Sequence, residues 1–176
     1  MRSFVVWILL AAALCGIAGC KRKPKPKVAA TVEDTQGELS TAVLVADPRA
    51  ASQLLRGFYP VEAGGWRWTM RKFAVSLRSP AAVSQAATLE LKFAIPDMVM
   101  QSLKSMTLSA KVNGVPLQKQ TYTSPGDQLY TQSVPASALK GEALTVEFEL
   151  DKAFGPSKQD QRELGLVVTS VGVESK

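Results

Sequence analysis

Four stretches of the chain carry an apolar residue at every second position, and that period suits an extended strand with one buried face and one wet face. Phe73, Val75 and Leu77 alternate with Ala74, Ser76 and Arg78. Leu89, Leu91, Phe93 and Ile95 alternate with Thr88, Glu90, Lys92 and Ala94. Met106, Leu108, Ala110 and Val112 do the same against Thr107, Ser109 and Lys111, as do Leu144, Val146, Phe148 and Leu150 against Thr145, Glu147, Glu149 and Asp151. Leu164 to Val173 is apolar on both faces, which implies an inner strand under further cover. Asn113-Gly114 between apolar residues is the pair that tolerates both positive φ angles of a type I′ hairpin turn, and Ser124-Pro125-Gly126-Asp127 separates the next two strands.

Before these strands, Asp47 to Gly57 reads as a short helix. Asp47 can cap its start, Pro48 suits the first helical position, and Gly57 can take the left-handed position past its end. The expectation is an all-β chain with one short N-terminal helix, forming a single jelly-roll-like β-sandwich of about eight strands over residues 41–176. A barrel is the second possibility. Glu90, Lys92, Glu147 and Glu149, whose charges fall on otherwise regular strands, argue against a lipid-facing barrel.

The first forty residues obey other rules. Phe4 to Gly19 is sixteen residues without a charge, behind the single positive Arg2. That is short of the roughly 20 residues of a membrane span and fits the apolar region of a secretory signal. Ile17-Ala18-Gly19-Cys20 resembles the bacterial lipobox. The resemblance implies a signal peptide over residues 1–19, a diacylglycerol thioether on Cys20, and acylation of the new amine. An ordinary signal peptide and an uncleaved anchor are the alternatives.

Cys15 and Cys20 are the two cysteines of the chain, so this processing leaves the folded part without a thiol or disulfide. Residues 20–40 then form a tether, in which Lys21, Arg22, Lys23, Lys25 and Lys27 with Pro24 and Pro26 make a stiff, extended run. Beside a lipid anchor these charges face anionic head groups, each worth about 1 kcal/mol near the surface. The formal charge is +6, yet removing these five residues and Arg2 leaves residues 28–176 neutral. The basic balance therefore belongs to the tether. It is not a nucleic-acid footprint, since no aromatic interleaves it and no basic face continues it.

With no histidine in the 176 residues, histidine-dependent relays and imidazole-bound metals are excluded. No phosphate-cradling glycine loop, nucleophile elbow or metal-ligand cluster occurs, so neither a metal nor a cofactor is expected. Two clusters carry what chemistry there is. Gly57-Phe58-Tyr59-Pro60-Val61-Glu62 is followed by Trp66-Arg67-Trp68-Thr69, and Phe154-Gly155-Pro156 by Asp160-Gln161-Arg162-Glu163-Leu164-Gly165. Together they resemble the galactose-binding-like jelly-roll domains of bacterial envelope proteins and membrane glycosyltransferases, over roughly residues 54–174. The resemblance implies a carbohydrate-binding or accessory role.

On a strand, Trp66 and Trp68 share one face and Arg67 takes the other. Exposed, the indoles would stack on sugar rings, with Arg67 and Glu62 bonding hydroxyls. Buried, they would close one end of the sandwich, and Arg67 would pair with Asp160 or Glu62 to pin the first strand to the last. Asp160 and Arg162 face the same side and suit a forked ion pair with the first cluster. Tyr59 and Tyr130 are further rim candidates. Glu62 with Asp160 is the one carboxylate pair to weigh for glycoside hydrolysis, but no spacing singles it out. Glu147, Glu149 and Asp151 form an acidic row that reads as a solvated face with at most a loose hold on a cation.

The expectation is a non-catalytic protein of the cell envelope, lipid-anchored with its domain outside the cytoplasm on either membrane. It would bind a glycan or, alternatively, an envelope protein partner as an adaptor, and no nucleic acid. An envelope hydrolase ranks behind both.

Overall fold

The computed structural model describes residues 38–80 and 86–175. The signal peptide, Cys20, Lys21, Arg22, Lys23, Lys25 and Lys27 lie outside the described residues. The described part contains ten strands: β1 Ala42–Leu44, β2 Leu54–Phe58, β3 Arg67–Arg78, β4 Ala87–Ile95, β5 Met106–Val112, β6 Val115–Pro116, β7 Gln120–Tyr122, β8 Gly126–Val134, β9 Ala143–Leu150 and β10 Val167–Ser175. All pairings are antiparallel, in the order β6-β5-β9-β3-β10-β4-β8, with β1 added to β10, β2 to β3 and β7 to β5.

β3 turns this ladder into a β-sandwich. Arg67 and Trp68 at its start pair with β10, whereas Lys72 to Arg78 pair with β9. One layer is β8-β4-β10 with β1; the other is β2, the rest of β3, β9 and β5 with β6 and β7. Phe73 and Phe148 stack at 4.8 Å within the β9 layer, and the inner faces meet where Tyr130 of β8 lies edge-on to Phe148 at 6.4 Å and Phe93 of β4 lies edge-on to Tyr122 of β7 at 5.2 Å.

All four alternating stretches form strands with their apolar faces inward, although Ala74, read as a wet-face residue, is itself buried in β3, and Asn113 and Gly114 turn between β5 and β6 with φ of 48° and 81°. Of the stretch Leu164 to Val173, residues 167–173 lie in β10, an inner strand with neighbours on both sides. The helix expected over 47–57 is cut short. Asp47 Oδ1 does accept from the Arg49 amide at 2.9 Å, but the turn is a 3-10 turn that stops at Gln53. Gln53 is 3% exposed, and its side chain accepts from the Ser40 amide and donates to the Ser40 and Ser76 carbonyls. This anchors the end of the turn to β3, and the chain continues as β2. Gly57 therefore lies in a strand, at φ +76° where the β2–β3 register shifts, and caps no helix.

The true helix, α1 Asp97–Leu103, follows Pro96 and ends at Lys104 with φ 65°. Its seven residues bury only Val99 and Met100, too little periodicity to mark it in the sequence.

Tyr130 is fully buried, so it belongs to the core and to no binding rim. Its hydroxyl donates to the Gln118 carbonyl at 2.7 Å, and burial pushes its pKa up to about 12. Burial raises Tyr122 as well. The stabilisation from a retained proton is whole below pH 10, where folded and unfolded phenols are both protonated, and is lost as pH rises through about 12. Alkaline titration followed by circular dichroism should show stability falling between these values. Tyr130→Phe should flatten that fall by roughly 2–3 kcal/mol.

Candidate functional site

The first cluster is a tight hairpin running into β3. The Glu62 amide donates to the Trp66 carbonyl at 2.9 Å and the Gly65 amide to the Glu62 carbonyl at 3.0 Å, with Gly65 at φ +76°. The Trp66 indole lies so close over Gly64 that a Cβ there would stand 2.3 Å from Nε1. Trp66 and Trp68 pack edge to face at 6.0 Å; Trp68 is buried and Trp66 half-buried against the core.

Arg67 pairs with neither Asp160 nor Glu62. Its Nε donates to the Val45 carbonyl at 2.6 Å and Nη1 to the Tyr59 carbonyl at 3.0 Å, so it clamps the segment after β1 to the one after β2. The ion pair to the second cluster comes from Arg162 instead. Its guanidinium forks onto Asp160 through Nε at 3.0 Å and Nη2 at 2.8 Å, and Nη1 reaches Glu62 at 3.0 Å. It also lies over the Tyr59 ring, 5.1 Å from its centre.

Hydrogen bonds from Arg162 hold the Asp160 carboxyl below the usual carboxylate range, and Asp160 and Glu62 in turn raise the guanidinium. A glycosidase acid needs the opposite, a carboxyl kept protonated. The Leu164-Gly165 end of the cluster has a packing purpose. A Cβ on Gly165 would meet Thr69 Oγ1 at 2.7 Å and the Met70 carbonyl at 2.8 Å, where β3 leaves β10. The side chains of both clusters thus strap the loop before β10 to the start of β3.

A different face of the molecule stays open. Across the outer side of the β9 layer, cross-strand register builds three rows. Arg56 and Glu147 form an ion pair, with Lys111 opposite Glu147. Lys72 Nζ contacts Glu149 at 3.0 Å, with Ser109 on the far side. The Asp151 carboxylate accepts from the Thr107 amide at 2.8 Å, and the Thr107 and Thr121 hydroxyls bond at 2.9 Å.

The acidic row expected to be merely solvated is therefore compensated strand by strand. The hydrogen bond from Lys72, reinforced by the charges of Arg71 and Lys111, holds the Glu149 carboxyl below its ordinary range. Over these rows lie two clefts that share Ser109 and Glu149. One, of about 190 Å³, is lined by Arg56, Lys72 and Lys111; the other, of about 270 Å³, by Arg71, Lys119 and Asp151. A larger cleft of about 750 Å³ lies between residues 38–44 and the first 3-10 turn. Its charged lining includes Asp47 and Arg49, which already pair with each other. Among the described residues, no group of three potential metal ligands occurs.

No protein-family model matches the sequence, and no curated protein does. Solved structures match in shape. A family GH115 4-O-methyl-α-glucuronidase with specificity for decorated arabinogalactans superposes with a TM-score of 0.50 at 7% identity, over 79% of this chain and 18% of that one. A family 35 carbohydrate-binding module from Clostridium thermocellum gives 0.46 at 13% identity, over 76% and 98%. The CBM36-1 domain of a multidomain xylanase from the hindgut metagenome of Trinervitermes trinervoides gives 0.44 at 12%, over 77% and 97%. The chain spans less than a fifth of the glucuronidase. At such identities the likeness is one of fold alone, a β-sandwich.

Proposed function

We propose that the protein is a non-catalytic, lipid-anchored component of the bacterial cell envelope whose β-sandwich holds a glycan close to the membrane. The observation that carries this reading is the open groove over the β9 layer. Its hydroxyls, carboxylates and cations stand on paired strands, the mixed polar lining that recognises sugar hydroxyls. The lipobox resemblance at Ile17 to Cys20 and the basic tether supply the anchor. Two or more acyl chains hold a protein stably where one does so only marginally.

The adaptor reading has its own support. Trp66 and Trp68 close on each other, which removes the aromatic platform a sugar would stack on. A glycan array probed with the full-length protein in non-ionic detergent separates the two. Binding that survives Trp66→Ala but is lost on altering Ser109 and Lys111 is the expected result. An array at background, with one dominant protein captured by crosslinking in intact envelopes, would replace the glycan by a protein partner.

The anchor is tested separately. Cys20→Ser should abolish metabolic labelling with a clickable fatty acid and leave the longer precursor uncut. Label retained in this variant would overturn the lipidation.

A further inference from the structure

The groove is richer in positive charge than the domain around it. Residues 28–176 are neutral overall, yet Arg56, Arg71, Lys72, Lys111 and Lys119 line the two clefts against Glu147, Glu149 and Asp151. Arg56 and Lys72 have carboxylate partners at 147 and 149. Among the described residues, the exposed side chains of Arg71, Lys111 and Lys119 make no ion pair or hydrogen bond of their own. Three cations thus stand at the margins of a groove whose centre already holds acceptors.

We propose that this groove takes an acidic polysaccharide, its carboxylates held by Arg71, Lys111 and Lys119 and its hydroxyls donating to Glu147, Glu149 and Asp151. This rests on the glycan reading and names the chemical class of the ligand. The lining itself argues for that class. A polyphosphate or an anionic lipid surface offers the three carboxylates few donors and repels them. A single-stranded nucleic acid would need aromatic platforms for its bases, and the phosphates of a duplex would be repelled by the three carboxylates. The one ring lining the clefts, Phe148, is 2% exposed. A chain of uronic acids carries hydroxyl donors and a negative charge on every residue, and so matches both halves of the lining.

The test uses the full-length protein in non-ionic detergent and titration calorimetry with polygalacturonate, dextran as the neutral glycan, and anionic phospholipid vesicles. One variant combines Lys111→Glu and Lys119→Glu; in another, Lys21, Arg22, Lys23, Lys25 and Lys27 are all replaced by Gln. Polygalacturonate should bind wild type and the tether variant alike, weaken as salt is raised, and bind the groove variant at least about tenfold more weakly. Lys111 and Lys119 are exposed, so the melting temperature of the groove variant should stay put and serve as the control for folding. Equal binding of dextran, untouched by the groove variant, would keep the glycan reading and overturn this one. Binding of neither glycan would overturn both. Polygalacturonate binding lost with the tether charges alone, or a groove variant that weakens only vesicle binding, would overturn the proposal and move the contact to the tether or to the membrane.

Discussion

Gly57→Ala is expected to destabilise the domain by at least about 3 kcal/mol, enough to lower the denaturant midpoint sharply in a fold whose total stability is of the order of 5–15 kcal/mol. Two costs coincide there. Gly57 sits at φ +76°, and a Cβ would stand 2.1 Å from the Lys72 carbonyl and 2.7 Å from the Phe73 Cα. Both of those atoms are backbone of β3, and β3 cannot shift without disturbing its pairing to β9. Gly114→Ala is the control. Its φ of +81° imposes the same backbone penalty, but nothing lies within 4 Å of the added methyl group. It should cost only about 1–2 kcal/mol. Equal midpoints in urea denaturation would show that β2 does not pass β3 as closely as described.

Gly57 also shows where sequence stops being informative. Its left-handed conformation was legible, because glycine after a capped, proline-started segment implies a positive φ. The reason for that conformation was not. The sequence points to the end of a helix, whereas the structure needs a bulge, since Gln53 ties the turn to Ser40 and Ser76 before a full helix can form. Alternation in β3, β4, β5 and β9 was legible because one buried face leaves a mark every second residue.

The clusters divide in the same way. Spacing put Asp160 and Arg162 on one side and suggested a tie to the first cluster, which the Arg162–Glu62 contact supplies, but the fork itself closes on Asp160 within the second cluster. Arg67 donates to backbone carbonyls, which carry no sequence signature. The groove was hidden because it exists only through register. Lys72, Ser109 and Glu149 become neighbours when β3, β9 and β5 pair, and nothing local to any one of them reveals it.

Phe148→Ala should produce the other large loss, about 3–5 kcal/mol. The two cysteines are at positions 15 and 20, outside the sandwich, so no disulfide restrains its unfolded state. The apolar core must supply the stability by itself, and Phe148 stands near its middle. It is 2% exposed, stacks on Phe73 at an angle of 16°, meets Tyr130 edge-on, and lies opposite Ala110 in the pairing of β5 with β9. Ala110 is too small to fill the void left by a lost ring, and Phe73 is held by its strand. Phe148→Leu keeps much of the volume and should cost less than half as much. The measurement is urea unfolding of wild type and both variants with and without a reductant. The reductant should leave every midpoint in place. A Phe148→Ala loss below about 1 kcal/mol would mean that the two layers do not meet through Phe148, and a wild-type midpoint that falls on reduction would mean that the core does not supply the stability by itself.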